Sequence, residues 1–154
     1  INYYKQIRDS NVTYIKNRIF CDSHLRLTTD KRRGMHDILK TNPHIDFLSN
    51  TLEFADIIKE YRKYKFVISP RGNGLDCHRT WELFLLGCIA VVESTSLDEM
   101  FIKNELPVVI LNSWNELNCE NFNEKINNYY EIYNKFTSKS HIYTRFSNDY
   151  WLNS

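Results

Sequence analysis

Two arginines, a glutamate and a pair of glycines lie close together in this chain, and in that arrangement they could seat a phosphorylated ligand. The run is Ser69-Pro70-Arg71-Gly72-Asn73-Gly74, with His78, Arg79 and Glu82 a little further on. Gly72 and Gly74 permit positive φ and close approach of the backbone to a ligand. Arg71 and Arg79 flank the loop, and two guanidinium groups could grip a pyrophosphate through bidentate, charge-assisted bonds. Glu82 lies three residues past Arg79 on the same helical face. Its carboxylate can accept two hydroxyl hydrogen bonds, as a ribose diol offers. Ser69 could donate to a phosphate, His78 could touch the ligand, and Asn73 belongs to the same loop.

Each residue also has a plainer reading. The glycines can simply shape a tight turn. Arg79 and Glu82 can be an ordinary surface pair at (i, i+3) spacing, and His78 a solvated helix residue. Ser69 can only close the turn, and Asp76 can be no more than a charge favoured near a helix start. Trp81, Phe84 and Leu85 read as packing. The loop is not a G-x-x-x-x-G-K-[ST] phosphate loop. Nor is it G-x-G-x-x-G, because Cys77 occupies the third glycine position.

The elements that must position these residues are legible on either side. Phe66-Val67-Ile68-Ser69 has strand character, the pattern over 75–86 is helical, Gly87 stops it, and Ile89-Ala90-Val91-Val92 is a second apolar strand. Strand, glycine loop, helix, strand is one βαβ unit of a parallel sheet. The loop then sits at the carboxyl end of a strand and the amino end of a helix, where free N–H groups and the helix dipole favour an anion.

Around this unit the pattern continues. Residues 1–17 read as weakly helical and then extended. Arg18-Ile19-Phe20-Cys21 is a candidate first strand, followed by a polar loop over 24–30 and a helix over 31–40 that Pro43 forbids to continue. Residues 45–48 form a candidate second strand. Thr51 is placed to cap a helix whose inner face is Leu52, Ala55, Ile58 and Tyr61. After the central unit come a short helix or turn at 97–101 and a strand at 107–111. A helix follows over 123–136 with Ile126, Tyr129, Tyr130 and Tyr133 inward, and then a final helix or tail at 141–152. The expected fold is α/β, a Rossmann-like three-layer α/β/α sandwich with a mainly parallel sheet. One such domain spans 1–154.

Composition sets further bounds. The chain has 154 residues, 42% hydrophobic and 25% charged, with a net charge of +1. A chain of this length buries roughly 68–70% of its unfolded surface and needs no staples to hold a core. The near-neutral charge argues against a nucleic-acid binder, which would carry a basic excess. No run of about 18 apolar residues could span a membrane, and no signal peptide opens the sequence. The expected location is cytoplasmic. Ile1 is not an initiator methionine, so the chain reads as a piece of a larger protein, with any targeting signal elsewhere. Cys21, Cys77, Cys88 and Cys119 form no C-x-x-C pair, so no zinc site is expected and buried thiols are favoured over disulfides. Cys88 reads as a small core residue.

The run SPRGNGLDCHRTWELFLLGCIAVV resembles the carboxy-terminal half of exostosin-like glycosyltransferases. That family's pattern is a strand, a Ser-Pro-x-Gly loop, an Arg and a Glu on the next helix, then Gly-Cys-Ile-Pro-Val-Val. Pro70, Gly72, Arg79, Glu82, Gly87, Cys88 and Ile89 stand in those places, with Ala90 where the family has proline. Leu106-Pro107-Val108-Val109 and Asn112-Ser113-Trp114 are similar to the family's next strand and Trp-containing loop. The match covers about residues 65 to 117.

The resemblance implies the donor half of a GT-B glycosyltransferase, with a nucleoside-diphosphate sugar (UDP or GDP) as donor and a glycan or glycoprotein as acceptor. An amino-terminal acceptor domain of the same protein would complete the cleft. It implies that Arg71 and Arg79 are catalytic, neutralising the leaving diphosphate as the sugar–oxygen bond breaks. Backbone N–H groups of Gly72 to Gly74 would assist, Glu82 would hold the ribose, and the base would rest near Ile45 to Leu48. No cofactor or metal is expected, and no Asp-x-Asp pair is present. Asp30, Glu93 and Asp98 follow strand ends and are the remaining candidates for a general base. The alternatives are a non-catalytic Rossmann-like nucleotide-binding or interaction module, and a flavodoxin-like or response-regulator domain. The last would need an acidic cluster or a flavin loop.

Overall fold

A computed structural model describes residues 2–9, 14–22, 30–48, 52–70 and 78–146. Its centre is a five-stranded sheet of β1 (Ile15–Cys21), β2 (Ile45–Phe47), β3 (Tyr64–Ile68), β4 (Ile89–Glu93) and β5 (Val108–Leu111). The order is β2-β1-β3-β4-β5 and every pairing is parallel. Among the described residues seven α-helices accompany the strands: α1 (Asn2–Asp9), α2 (Asp30–Leu39), α3 (Phe54–Arg62), α4 (His78–Leu86), α5 (Asp98–Lys103), α6 (Phe122–Tyr133) and α7 (Lys139–Phe146).

Strand alternation divides the core into two layers. Ile19, Cys21, Phe66, Ile68, Ile89, Val91, Val109 and Leu111 face Met35 and Leu39 of α2, Trp114 and Leu117, and Phe122 and Ile126 of α6. Phe20, Val67, Ala90, Val92 and Val108 face the opposite way. They meet Ile58 and Tyr61 of α3, Leu83 to Leu86 of α4, and Ile142 of α7. Because successive side chains of a strand point to opposite faces, helices are needed on both sides, and β3 is accordingly buried along its whole length. This is the expected Rossmann-like α/β/α sandwich.

Several boundaries differ from the sequence expectation. β3 begins at Tyr64 rather than Phe66, because two polar side chains find partners at its start. The Tyr64 hydroxyl donates to Asp46 Oδ2 (2.7 Å), and the Lys65 ammonium donates to Gly87 O (3.0 Å). Helix α3 starts at Phe54, with Glu53 as its extended N-cap and no side-chain capping bond. The expected cap, Thr51, lies outside the described residues, and Glu53 O instead accepts the N–H groups of Asp56 and Ile57. The helix expected over 123–136 ends at Tyr133 and tightens into a 3-10 turn over Asn134–Thr137, where Thr137 Oγ1 donates to Asn134 O (2.7 Å). Tyr129, Tyr130 and Tyr133 are half-buried rather than fully inward. The last helix is Lys139–Phe146, earlier than expected.

Cys88 is buried, with Sγ 3.4 Å from the carbonyls of Tyr61 and Tyr64. Cys21, Cys88 and Cys119 are free thiols, and Cys77 lies outside the described residues. Among the described residues no helix is long and apolar enough to cross a membrane.

Candidate functional site

The chain direction reverses between β1 and β3. From β1 one connection runs outward to β2, and all later strands add on the other side. In open α/β sheets such a reversal is where helices on opposite faces diverge and ligands bind, outside the carboxyl ends of the strands. Ser69 and Pro70 follow β3 at that edge, Asp22 follows β1, and α4 begins there with His78, Arg79 and Thr80.

Arg71, Gly72, Asn73 and Gly74, with the rest of 71–77, lie outside the described residues. The helix expected over 75–86 is therefore described from His78 onward. The two ends that flank the loop are tied to one another. Ser69 N–H donates to Val91 O (2.9 Å), and the Ser69 and Thr80 hydroxyls share a buried hydrogen bond of 2.8 Å. The start of α4 is thus pinned to the end of β3, as a strand-to-helix turn requires.

Arg79 is not a surface residue. It is 8% exposed, which removes the reading of Arg79 and Glu82 as an ordinary solvated pair. Its Nε donates to the Tyr61 hydroxyl (3.0 Å), and that hydroxyl donates to Asp22 Oδ2 (3.4 Å). Asp22 is itself buried. Three elements, the end of β1, the last turn of α3 and the start of α4, so converge on one guanidinium. The interior position has a physical logic: a buried cation needs hydrogen-bonded, preferably anionic, company. Burial pushes the Cys21 thiol up to about 12, with the Arg79 charge opposing and Asp22 reinforcing. Burial likewise raises Tyr61 above the ordinary phenol value, against the pull of Arg79. Cys21 and Tyr61 are therefore neutral at physiological pH.

Glu82, one turn further along α4, is half-buried. Burial raises its pKa, offset by a hydrogen bond from Tyr4 of α1 and by the charges of Arg79 and His78. His78 is exposed at the first position of α4. Of the expected site residues, the fold brings Ser69, His78, Arg79 and Glu82 to one edge.

The candidate bases are engaged elsewhere. Glu93 Oε2 accepts Trp114 N–H (3.3 Å), and Asp98 Oδ1 accepts Thr95 N–H (2.9 Å) in the turn before α5. Asp46, in the strand expected to lie beside the base, is bonded by Arg18 (2.6 Å) and Tyr64. The side chain of Asp30 lies outside the described residues. Among the described residues no group of His, Cys, Asp and Glu could hold a metal.

Sequence reasoning missed Asp22, Tyr4 and Thr80. Asp22 carried a signal, a carboxylate directly after the first apolar strand. Tyr4 carried none, since its meeting with Glu82 depends on how α1 packs on α4. Compared with known proteins, the chain matches no family model, and no curated protein matches it with significant similarity.

Proposed function

We propose that this chain is the donor-binding domain of a glycosyltransferase that holds a nucleoside-diphosphate sugar. The observation that carries the reading is the buried Arg79 guanidinium at the start of α4, beside the β1/β3 reversal. A cation held there by Tyr61, with an acidic neighbour in Asp22 beyond it, is pre-positioned for a diphosphate. Ser69 and Thr80 brace the turn, and Glu82 lies on the same helix for the ribose. We assign Arg71 and Gly72 to Gly74, which lie outside the described residues, to the same phosphate seat, and the other wall and the base to a separate acceptor domain. UDP or GDP sugars are the donor class, with a glycan or glycoprotein acceptor. The order β2-β1-β3-β4-β5 is shared with flavodoxin-like sheets, so the site residues, not the topology, distinguish the readings.

Isothermal titration with UDP, GDP and pyrophosphate tests it. Arg79→Ala should weaken all three by about tenfold or more, since a charged hydrogen bond is worth ~1.5–3 kcal/mol. Glu82→Gln should weaken the nucleotides while sparing pyrophosphate. Unchanged affinity in a folded Arg79→Ala variant removes the arginine from the site.

A second reading is favoured by one observation. Arg79 and Glu82 each already have an intramolecular partner, Tyr61 and Tyr4, as they would in a non-catalytic module. Absence of binding by any of the three ligands to the folded protein supports that reading.

A further inference from the structure

We infer that the opposite edge of the sheet carries a second, basic site for the phosphate or sulfate group of a small ester, formed by Arg8, Arg62, Lys65 and Lys135. These residues line a pocket of about 420 Å³ together with Tyr14 and Ser138. Lys65 stands at the start of β3 and Ser69 just past its end. The two sites are therefore about 13 Å apart along the strand, at the usual rise per residue.

The cations come from four places in the chain: the end of α1, the end of α3, the start of β3 and the turn after α6. Arg62 donates Nε and Nη2 to Arg8 O (3.3 and 3.0 Å), locking α3 to α1. Arg8 Nη2 donates to Thr137 O, while its buried Nη1 has no acceptor among the described residues. Lys65 is 5% exposed, and its ammonium donates to Gly87 O and Thr137 Oγ1, both at 3.0 Å. An ammonium has three N–H donors, so one is left without a hydrogen-bond acceptor among the described residues, and the Tyr14 ring lies beside it, its centroid 5.0 Å from Nζ. Gly87 makes the seat possible. Its φ is +81°, and a Cβ there would lie 3.0 Å from Arg8 Cζ.

No carboxylate is among the described residues that line the pocket. None of the four cations belongs to an ion pair among the described residues, where the pairs involve Arg18, Lys40, Lys63, Lys139 and Arg145. Asp9 beside Arg8 acts on that guanidinium but is itself held by Lys139 outside the pocket; the like charges that line the pocket repel one another, and the repulsion grows as water is excluded. A tetrahedral oxyanion offsets it better than a planar carboxylate, because its oxygens face several donors at once. The pocket volume lies at the small end of ligand sites, which suits a small ester rather than an acidic protein segment.

The test is calorimetric titration of the protein with inorganic phosphate and, separately, sulfate, at constant ionic strength made up with chloride. Saturable binding is expected, with affinity about tenfold lower in Lys135→Ala. Lys135 is exposed, so this variant keeps its fold. Lys103→Ala, which removes a charge away from the pocket, should keep wild-type affinity. Binding of one anion but not the other supports the site and names the group it takes. Three outcomes overturn it: no saturable binding of either anion, binding unaffected by Lys135→Ala, or equal weakening by Lys103→Ala. Binding that survives Lys135→Ala would lie elsewhere, and the nucleotide titrations report the donor edge independently.

Discussion

The Arg79 guanidinium and the Tyr61 hydroxyl are joined by a 3.0 Å hydrogen bond across the α3–α4 interface. That bond sets the direction of a buried cation, and through Tyr61 it reaches Asp22 at the end of β1. Its loss would therefore be felt in stability as well as in ligand binding.

Tyr61→Phe tests the bond directly. The ring still packs against Phe20, 5.8 Å away in an edge-on arrangement, but Arg79 loses an acceptor and Asp22 a donor. We expect a loss of about 1–3 kcal/mol, the cost of stranding buried polar groups. It should appear as a lower urea midpoint with an unchanged denaturant slope. A midpoint equal to wild type would mean that water or neighbouring groups replace the hydroxyl fully.

The Ser69–Thr80 hydroxyl pair closes the strand-to-helix turn from both sides. In a double-mutant cycle, Ser69→Ala and Thr80→Val should each destabilise. Their combined effect should be smaller than the sum, with a coupling of about 0.5–1.5 kcal/mol. Strict additivity would show that the two hydroxyls act separately.

Lys65 makes stability depend on pH. Burial, aided by the charges of Arg8 and Arg62 and opposed by Cys88, brings its pKa down to about 8 from 10.5. Between those values the unfolded chain holds a proton that the folded protein has released, so folding grows more favourable as pH rises through the window. The slope is at most about 1.4 kcal/mol per pH unit. Above pH 9 the buried thiols of Cys21 and Cys88, raised to about 12 and about 11, act in the opposite direction. The contribution of Lys65 is therefore read as a difference, wild type minus Lys65→Met, from urea unfolding at pH 7.5, 8.5 and 9.5. That difference should move in favour of wild type with rising pH. A flat difference would place the Lys65 titration near its ordinary value.

The fold was legible where a single short-range rule governed. Apolar runs such as Ile89-Ala90-Val91-Val92 announce a strand buried on both faces, and the helix ending at Gly87 follows from a residue that accepts φ of +81°. The start of β3 was harder to read, because Tyr64 and Lys65 look like surface residues until Asp46, Gly87 and Thr137 are brought to them. Thr51 met the local preference for a cap, yet α3 begins at Phe54 with an extended Glu53 as its N-cap.

For the site, the sequence by itself determined that Ser69, Arg79 and Glu82 cluster where a parallel strand hands over to a helix. Periodicity and chain direction suffice for that, since all three residues belong to one βαβ unit. Only the tertiary structure decided that Arg79 is buried against Tyr61 near Asp22, that Tyr4 reaches Glu82, and that four cations meet at the far edge. Those contacts join segments distant in the chain, and they depend on how helices α1, α3 and α4 pack on one face of the sheet. No local pattern of residues encodes that geometry.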